Sequence, residues 1–300
     1  TVRNLELVET PRLKERTYSL LWLLDKTKTA MGSRKIKSWL MNPLRNKEEI
    51  LERYHKIEVF NTNFMETDEL RNLLYQVYDL ERLCAKVICG NLNARDLLQI
   101  KNSLSVLPRV QDIVKEMGLN YTMNTHDELY ELLDVSIYEN PPISVREGYL
   151  IKDGYNAELD ELKKIRSGGK DFIAEFEAKI KEETGIKNLK VGFNKVFGYY
   201  IEVSKGQVEN VSEEWGWERR QTLTNYERYI SPELKEKEAL ILNAEEKIFE
   251  LEYELFSEIR NKIKDEVLEI KKTADVISEI DALISLSVCS DELNLVKPIL

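Results

Sequence analysis

The placement of glycine constrains this chain more than any other single feature. Nine of its twelve glycines lie between Gly148 and Gly216, and none follows Gly216. Glycine inside a helix costs about 1 kcal/mol relative to alanine, so the 84 residues beyond Gly216 are free to form long helix. Among them Pro232 follows Ser231, a first-turn proline after a capping side chain. Leu234, Ile241, Ile248 and Leu255 fall at sevens, and Ile259, Ile263, Val267 and Ile270 follow at fours and a three. This spacing predicts a helix over 232–272, roughly 60 Å long at 1.5 Å per residue. A second long helix is expected over 156–184, "NAELDELKKIRSGGKDFIAEFEAKIKEET", with a kink at Gly168-Gly169. Two such helices running out and back make an arm that holds up whatever lies between them.

What lies between them, from Gly185 to Ile230, has a different period. Leu189, Val191 and Phe193 alternate with Lys190 and Gly192, and after the turn "NKVFG" Tyr199, Ile201 and Val203 alternate with Tyr200 and Glu202. Alternation at period two on both sides of a glycine-bearing turn predicts a β-hairpin. "RRQTLTNYERYI" is expected to add a third strand, and three strands with one apolar face are near the minimum that is stable alone.

Residues 17–140 read as a bundle of ordinary helices. "YSLLWLLDKTKTAMGSRKIKSWLMNPL" carries Leu20, Leu24, Ala30, Ile36 and Leu40 on one side and is stopped by Asn42-Pro43. "NKEEILERYHKIEVF" is amphipathic through Ile50, Tyr54, Ile57 and Phe60. "TDELRNLLYQVYDLERLCAKVICG" repeats the pattern through Leu70, Leu74, Val77, Leu80 and Leu83. "NARDLLQIKNSLSVLPRVQDIVKEM" opens on Asn93 as a cap and is expected to continue past Pro108. Pro141-Pro142 then breaks the helical period and predicts an extended connector. The fold class expected is mainly α: an elongated helical lever, with two long antiparallel helices carrying a small antiparallel β element at the tip.

Composition removes several function classes. With 33% charged and 42% hydrophobic residues the chain can bury a sizeable core. A net charge of −10 argues against polyanion binding by the whole surface, so a nucleic-acid partner would need a local basic face. Cys84, Cys89 and Cys289 make no secreted disulfide framework, and the chain reads as cytoplasmic. No run of about 18 apolar residues predicts a membrane span. The first residues lack both a signal core and a methionine, and the chain reads as a piece cut from something longer. "SGGKD" is no phosphate loop: Lys164 stands where the first glycine is needed and Asp171 follows the lysine. His55 and His126 are too few and too far apart for a metal or catalytic cluster, and the cysteines have no partner pair. The carboxylates lie on charged helix faces, with no apolar pocket to split two pKa values. No catalytic constellation emerges, and no cofactor is expected.

The hairpin region is different in kind. Between Gly185 and Ile230 stand Lys187, Lys190, Lys195, Lys205, Arg219, Arg220 and Arg228 against Glu202, Glu209, Glu213, Glu214, Glu218 and Glu227. Its balance is slightly positive where the chain as a whole is acidic. Lys187, Lys190 and Lys195 precede any acid, and Gln221, Thr222, Thr224 and Asn225 follow Arg219 and Arg220. Lysine and arginine beside threonine, asparagine and glutamine are the groups that hold phosphates without reading bases. From the residues alone two readings stand level: a DNA-holding tip, or a coiled-coil scaffold module that joins proteins without touching DNA.

Motifs in the same order separate them. "YSLLWLLDKTKTAMGSRKIKSWLMNPL", "VYDLERLCAKV", "NARDLLQIKNSL", "ENPPISVREGYLIKDGYNAELDEL", "TGIKNLKVGFNKVFGYYIEVSK" and "RRQTLTNYERYISPELKE" resemble consecutive motifs of the bacterial MutS family of DNA mismatch-repair proteins. The resemblance runs from about Leu5 to the end, and "LNLVKPIL" is similar to the segment before that family's ATPase domain. It implies a helical core or lever over 1–152 and 231–300, and over 153–230 a clamp domain with its ascending helix and a β tip at about 185–230. It further implies a dimer of two copies that encircles double-stranded DNA, the clamp holding the backbone and the lever coupling it to an ATPase domain.

The family's mismatch-reading wedge and Walker loop have no counterpart here, so on this resemblance the chain neither recognises mismatches nor hydrolyses ATP. Phe64-Met65-Glu66 has the wedge spacing without its glycine and reads as coincidence. The DNA-facing set on this reading is Lys187, Lys190, Asn194, Lys195, Arg219, Arg220, Gln221, Thr222, Thr224 and Asn225. One stretch departs from the family pattern: "VENVSEEWGWERRQ", where Trp215-Gly216-Trp217 is unexpected.

Overall fold

The computed structural model describes residues 5–10, 14–142, 148–194 and 198–300, with the backbone alone at 169–171. The fold is mainly α with one small antiparallel sheet. Two compact units make up the chain: Thr1–Val145 with Phe256–Leu300, and Arg146–Leu255.

The first unit contains α1 (Leu20–Leu24), α2 (Ala30–Met41), α3 (Lys47–Thr62), α4 (Phe64–Leu74), α5 (Leu80–Ile88), α6 (Ala94–Ser105), α7 (Leu107–Glu116) and α8 (Asp127–Ser136). The capping chemistry read from the sequence is present. Asn93 accepts the Asp96 N–H while the Asp96 carboxylate accepts the Asn93 N–H, a reciprocal box that satisfies two orphan donors of α6. Leu70, Leu74, Val77, Leu80 and Leu83 are all buried as their spacing predicts, although the chain changes helix between them.

Two further expected helices are split. Residues 94–116 are α6 and α7, divided at Val106, because Pro108 belongs in a first turn, where its missing N–H costs nothing. Residues 17–44 are α1 and α2, divided at Asp25–Thr29. Thr29 caps α2, accepting the Gly32 N–H, and the break turns Leu20 outward while Leu21 goes into the core. The division also has a long-range cause. Ser285 accepts the Lys26 N–H at 2.7 Å, and Asp281 accepts the N–H groups of Lys28 and Thr29 at 2.9 and 2.7 Å.

His126 is a satisfied core histidine, with Nδ1 2.8 Å from Glu266 Oε2 and Nε2 3.3 Å from Thr273 Oγ1. Among the described residues no group of His, Cys, Asp or Glu could hold a metal ion. None of their helices is long and apolar enough to cross a membrane.

The second unit is built on α9 (Ala157–Thr184) and the first part of α10 (Pro232–Glu292). Asn156 caps α9 by accepting the Leu159 N–H at 3.0 Å. The helix runs without interruption through "SGGKD", where an interruption is expected from the two glycines. Past them, Phe172 and Phe176 stack at 5.6 Å and pack with Ile180 on the sheet, which offsets the glycine cost. Ser231 accepts the Leu234 N–H at 3.2 Å and starts α10. That helix has 61 residues and ends at Glu292, twenty past the expected end. Nothing in 273–292 stops it, since the segment has no glycine or proline and its Ala274, Ile277, Ile280 and Leu283 are buried.

Between these helices the chain forms four strands, not three: β1 (Lys190–Asn194), β2 (Gly198–Ser204), β3 (Glu218–Thr222) and β4 (Tyr226–Ile230), in the order β1-β2-β4-β3. "RRQTLTNYERYI" is itself a hairpin. The Leu223 N–H bonds the Tyr226 carbonyl at 2.8 Å and leaves Thr224 and Asn225 in the turn. Ile201, Val203 and Tyr229 point to one face and pack with Phe176, Ile180, Ile186, Leu189 and Leu234. The Trp215-Gly216-Trp217 stretch joins the edge of this cluster: Trp215 and Trp217 lie 5.1 Å apart, and Trp217 lies 6.1 Å from Tyr229.

Candidate nucleic-acid interface

Strand register decides which of the candidate side chains meet. Lys190 pairs with Glu202, Glu202 with Arg228, and Arg228 with Gln221. One polar row therefore crosses all four strands, about 14 Å at ~4.8 Å per strand. Within it Arg228 donates to Glu202 Oε2 and to Gln221 Oε1, both at 3.0 Å, and its guanidinium lies 4.1 Å from the Tyr200 ring. Gln221 is thereby occupied inside the sheet.

The strand ends Asn194/Gly198 and Thr222/Tyr226 lie at opposite ends of the sheet. Asn194 pairs with Gly198 at one end, and Ser204 pairs with Tyr226 at the other. Gly198 to Ser204 spans six steps, about 20 Å at ~3.3 Å each. Asn194 is therefore not beside Thr224 and Asn225, as a single binding face would require. Lys195 lies outside the described residues. The Asn194 end also carries an acid, since Glu238 accepts the Tyr199 N–H at 3.1 Å.

At the other end Thr222, Thr224 and Asn225 are exposed, and the Lys205 N–H bonds the Asn225 carbonyl at 3.0 Å. Lys205 is thus fixed to the β3–β4 turn. Lys190 begins β1 on that side of the row, and exposed Lys187 precedes it in the chain. Sequence pattern alone does not single out Lys205, because it follows the alternating run. Reading "TNYERYI" as the second arm of a hairpin is the signal that places Lys205 beside the β3–β4 turn and Arg228 in the polar row.

Charge pairing sorts the cations. Arg219 contacts Glu227 at 3.5 Å, Arg220 contacts Glu218 at 2.9 Å, and Arg228 contacts Glu202 at 3.0 Å. Among the described residues Lys187, Lys190 and Lys205 have no ion pair. Glu227 is buried and also accepts the Tyr229 hydroxyl at 2.6 Å. Burial and that bond push the Tyr229 hydroxyl up to about 12, so it stays a donor. Glu177 accepts the Val191 N–H at 2.9 Å. Its burial works against ionisation, but the Lys181 ammonium and that N–H outweigh it and leave the carboxyl below its ordinary value. The arrangement places exposed threonine and asparagine side chains and ammonium groups outside any ion pair at one sheet end, the Lys190 ammonium acting at longer range on Glu177.

The chain matches the family model described as MutS domain III over residues 1–287. It is 51% identical to the DNA mismatch repair protein MutS of Bacillus licheniformis and 50% identical to that of Bacillus subtilis, in each case over 99% of this chain. The corresponding protein of Staphylococcus epidermidis is 48% identical over the same share. The chain spans 35% of the length of each of these relatives. A family match over nearly the whole length, with half of the residues identical in curated relatives, makes this chain a member of the MutS domain III family.

Proposed function

We propose that the chain is the DNA-holding and transmitting part of a mismatch-repair protein, without catalysis or a cofactor of its own. Its sheet unit grips duplex DNA through the backbone, at the end carrying Lys187, Lys190, Lys205, Thr222, Thr224 and Asn225. The observation that carries the reading is the segregation of charge: the lysines at that end are free of ion pairs among the described residues, while the arginines are matched by glutamates. Lysines neutralise phosphates and release counterions, and threonine and asparagine donate to phosphate oxygens without reading bases.

Helix α10 contributes residues to both units, which suits a mechanical link between DNA and an ATPase domain. Such coupling requires two arrangements with different ligand affinity. In the assembled cytoplasmic protein a second copy closes round the same duplex.

The test is titration of the 300-residue chain with a short, fully paired DNA duplex at increasing salt. With one phosphate contact for each of the three lysines, binding should weaken roughly fortyfold between about 50 and about 200 mM salt. Replacing Lys190, Lys205 and Asn225 together by alanine should weaken binding and flatten that dependence by about 1.8 in log–log slope, about 0.9 for each lysine removed. Binding indifferent to salt, or unchanged by the triple substitution, would refute the grip.

A further inference from the structure

We infer that Glu218 is a built-in competitor for phosphate that holds Arg220 in reserve, an inference that rests on the DNA-holding reading above. The three arginine–glutamate pairs of the sheet are not alike. Arg228 and Glu202 are each about four-fifths buried at the side chain, and Arg228 also engages Gln221 and the Tyr200 ring. Glu227 is fixed by the Tyr229 hydroxyl as well as by Arg219. Arg220 and Glu218 have only each other among the described residues, and their side chains are 47% and 67% exposed.

An exposed pair of this kind contributes little to stability, so holding the sheet does not account for it. A carboxylate and a phosphate present the same pair of oxygens to a guanidinium. Glu218 therefore occupies the place a phosphate would take. Only side-chain rotation is needed to exchange them, because the two residues lie two apart on the edge strand β3. The strand register shifts between Arg219 and Gln221, so Arg220 has no partner opposite it on β4 and its side chain is not committed to the ladder. Glu218 belongs to "SEEWGWE", the stretch in which this chain departs from the family pattern. The departure thus tunes the grip and leaves the sheet itself intact. Its effect is a weaker, more easily released hold than the count of basic residues suggests.

The experiment is the same salt titration, with the full chain and a short, fully paired DNA duplex. Glu218→Gln should tighten binding about tenfold at ~50 mM salt and steepen the log–log salt dependence by about 0.9, the signature of one added phosphate contact. Glu209→Gln removes an exposed carboxylate of the same unit that has no arginine on it, and should leave the slope unchanged. In an Arg220→Gln background the gain from Glu218→Gln should vanish, a coupling that only direct competition produces. An equal response to Glu209→Gln, or a gain that persists without Arg220, overturns the inference. Absence of any DNA binding by the unsubstituted chain at low salt would instead overturn the function on which it rests, and this inference with it. Wild-type binding with a silent Glu218→Gln overturns the inference alone.

Discussion

Helix α10 uses one device in both units, and the two instances differ in burial. In the helical unit Asp281 faces Gly32 and accepts the Lys28 and Thr29 N–H groups together with the Thr29 hydroxyl. In the sheet unit Glu238 faces Gly198 and accepts the Tyr199 N–H. A side chain on either glycine would run into the carboxylate. Asp281 is 1% exposed, whereas Glu238 is half-buried. The same contact is therefore a fixed lock in the helical unit and a yielding one in the sheet unit. A buried carboxylate that leaves strands its donors, each costing about 1–3 kcal/mol, whereas a half-exposed one can turn into water.

The largest expected effect follows from the fixed lock. Gly32→Ala should destabilise the helical unit by about 3 kcal/mol, since the new methyl displaces Asp281 from its donors with nowhere to go. Urea unfolding read through hydrogen exchange of α2 checks it, and a loss confined to fractions of a kcal/mol would show that Asp281 is not a lock. Gly198→Ala should cost the sheet unit less, about 1–2 kcal/mol. Glu238 can swing away, so the cost is the strain of a side chain at φ +77° and one lost acceptor. The same exchange experiment on β1 and β2 reads it. A loss as large as that at Gly32 would erase the distinction between the two contacts.

These contacts also mark where the sequence stops being informative. Helix α10 was legible because its heptad positions and its freedom from glycine are local properties. The division of 17–44 into α1 and α2 was not, because Asp281 and Ser285, which hold the loop, are more than 250 residues away along the chain. The extra hairpin is not legible because Leu223-Thr224-Asn225 lacks the glycine that usually announces a tight turn.

The candidate site divides in the same way. Its residue types were readable, and the free lysines are among them. The separation of Asn194 from Asn225 and the pairing of each arginine follow from strand register, which no single strand encodes.

The smallest effect concerns the third carboxylate of α10, and its sign is set by pH. Glu252 is buried in the sheet unit, facing the amides of Tyr149, Leu150 and Ile151 without an ordinary hydrogen bond to any of them. Its nearest cation, Lys163 Nζ, is 3.9 Å away and already donates to the Ile151 carbonyl and to Asp153. Burial lifts the Asp281 carboxyl too, but Asp281 accepts the Lys28 and Thr29 N–H groups and the Thr29 hydroxyl, whereas neither Glu252 oxygen has a hydrogen-bond partner. Burial lifts the Glu252 carboxyl above its ordinary value of 4.5, and the Lys163 ammonium only partly opposes this.

The folded chain therefore binds this proton more tightly than the unfolded chain. The stabilisation it gives is complete below pH 4.5 and is lost as pH rises through the folded value. Relative to wild type, Glu252→Gln should then be neutral or up to about 1 kcal/mol more stable at neutral pH. That advantage should shrink to nothing as the pH falls below the ordinary carboxylate range. Paired urea melts at pH 7 and near pH 4 decide it. A variant that is less stable at neutral pH and recovers in acid would mean that the Lys163 attraction outweighs burial, making Glu252 a lock like Asp281.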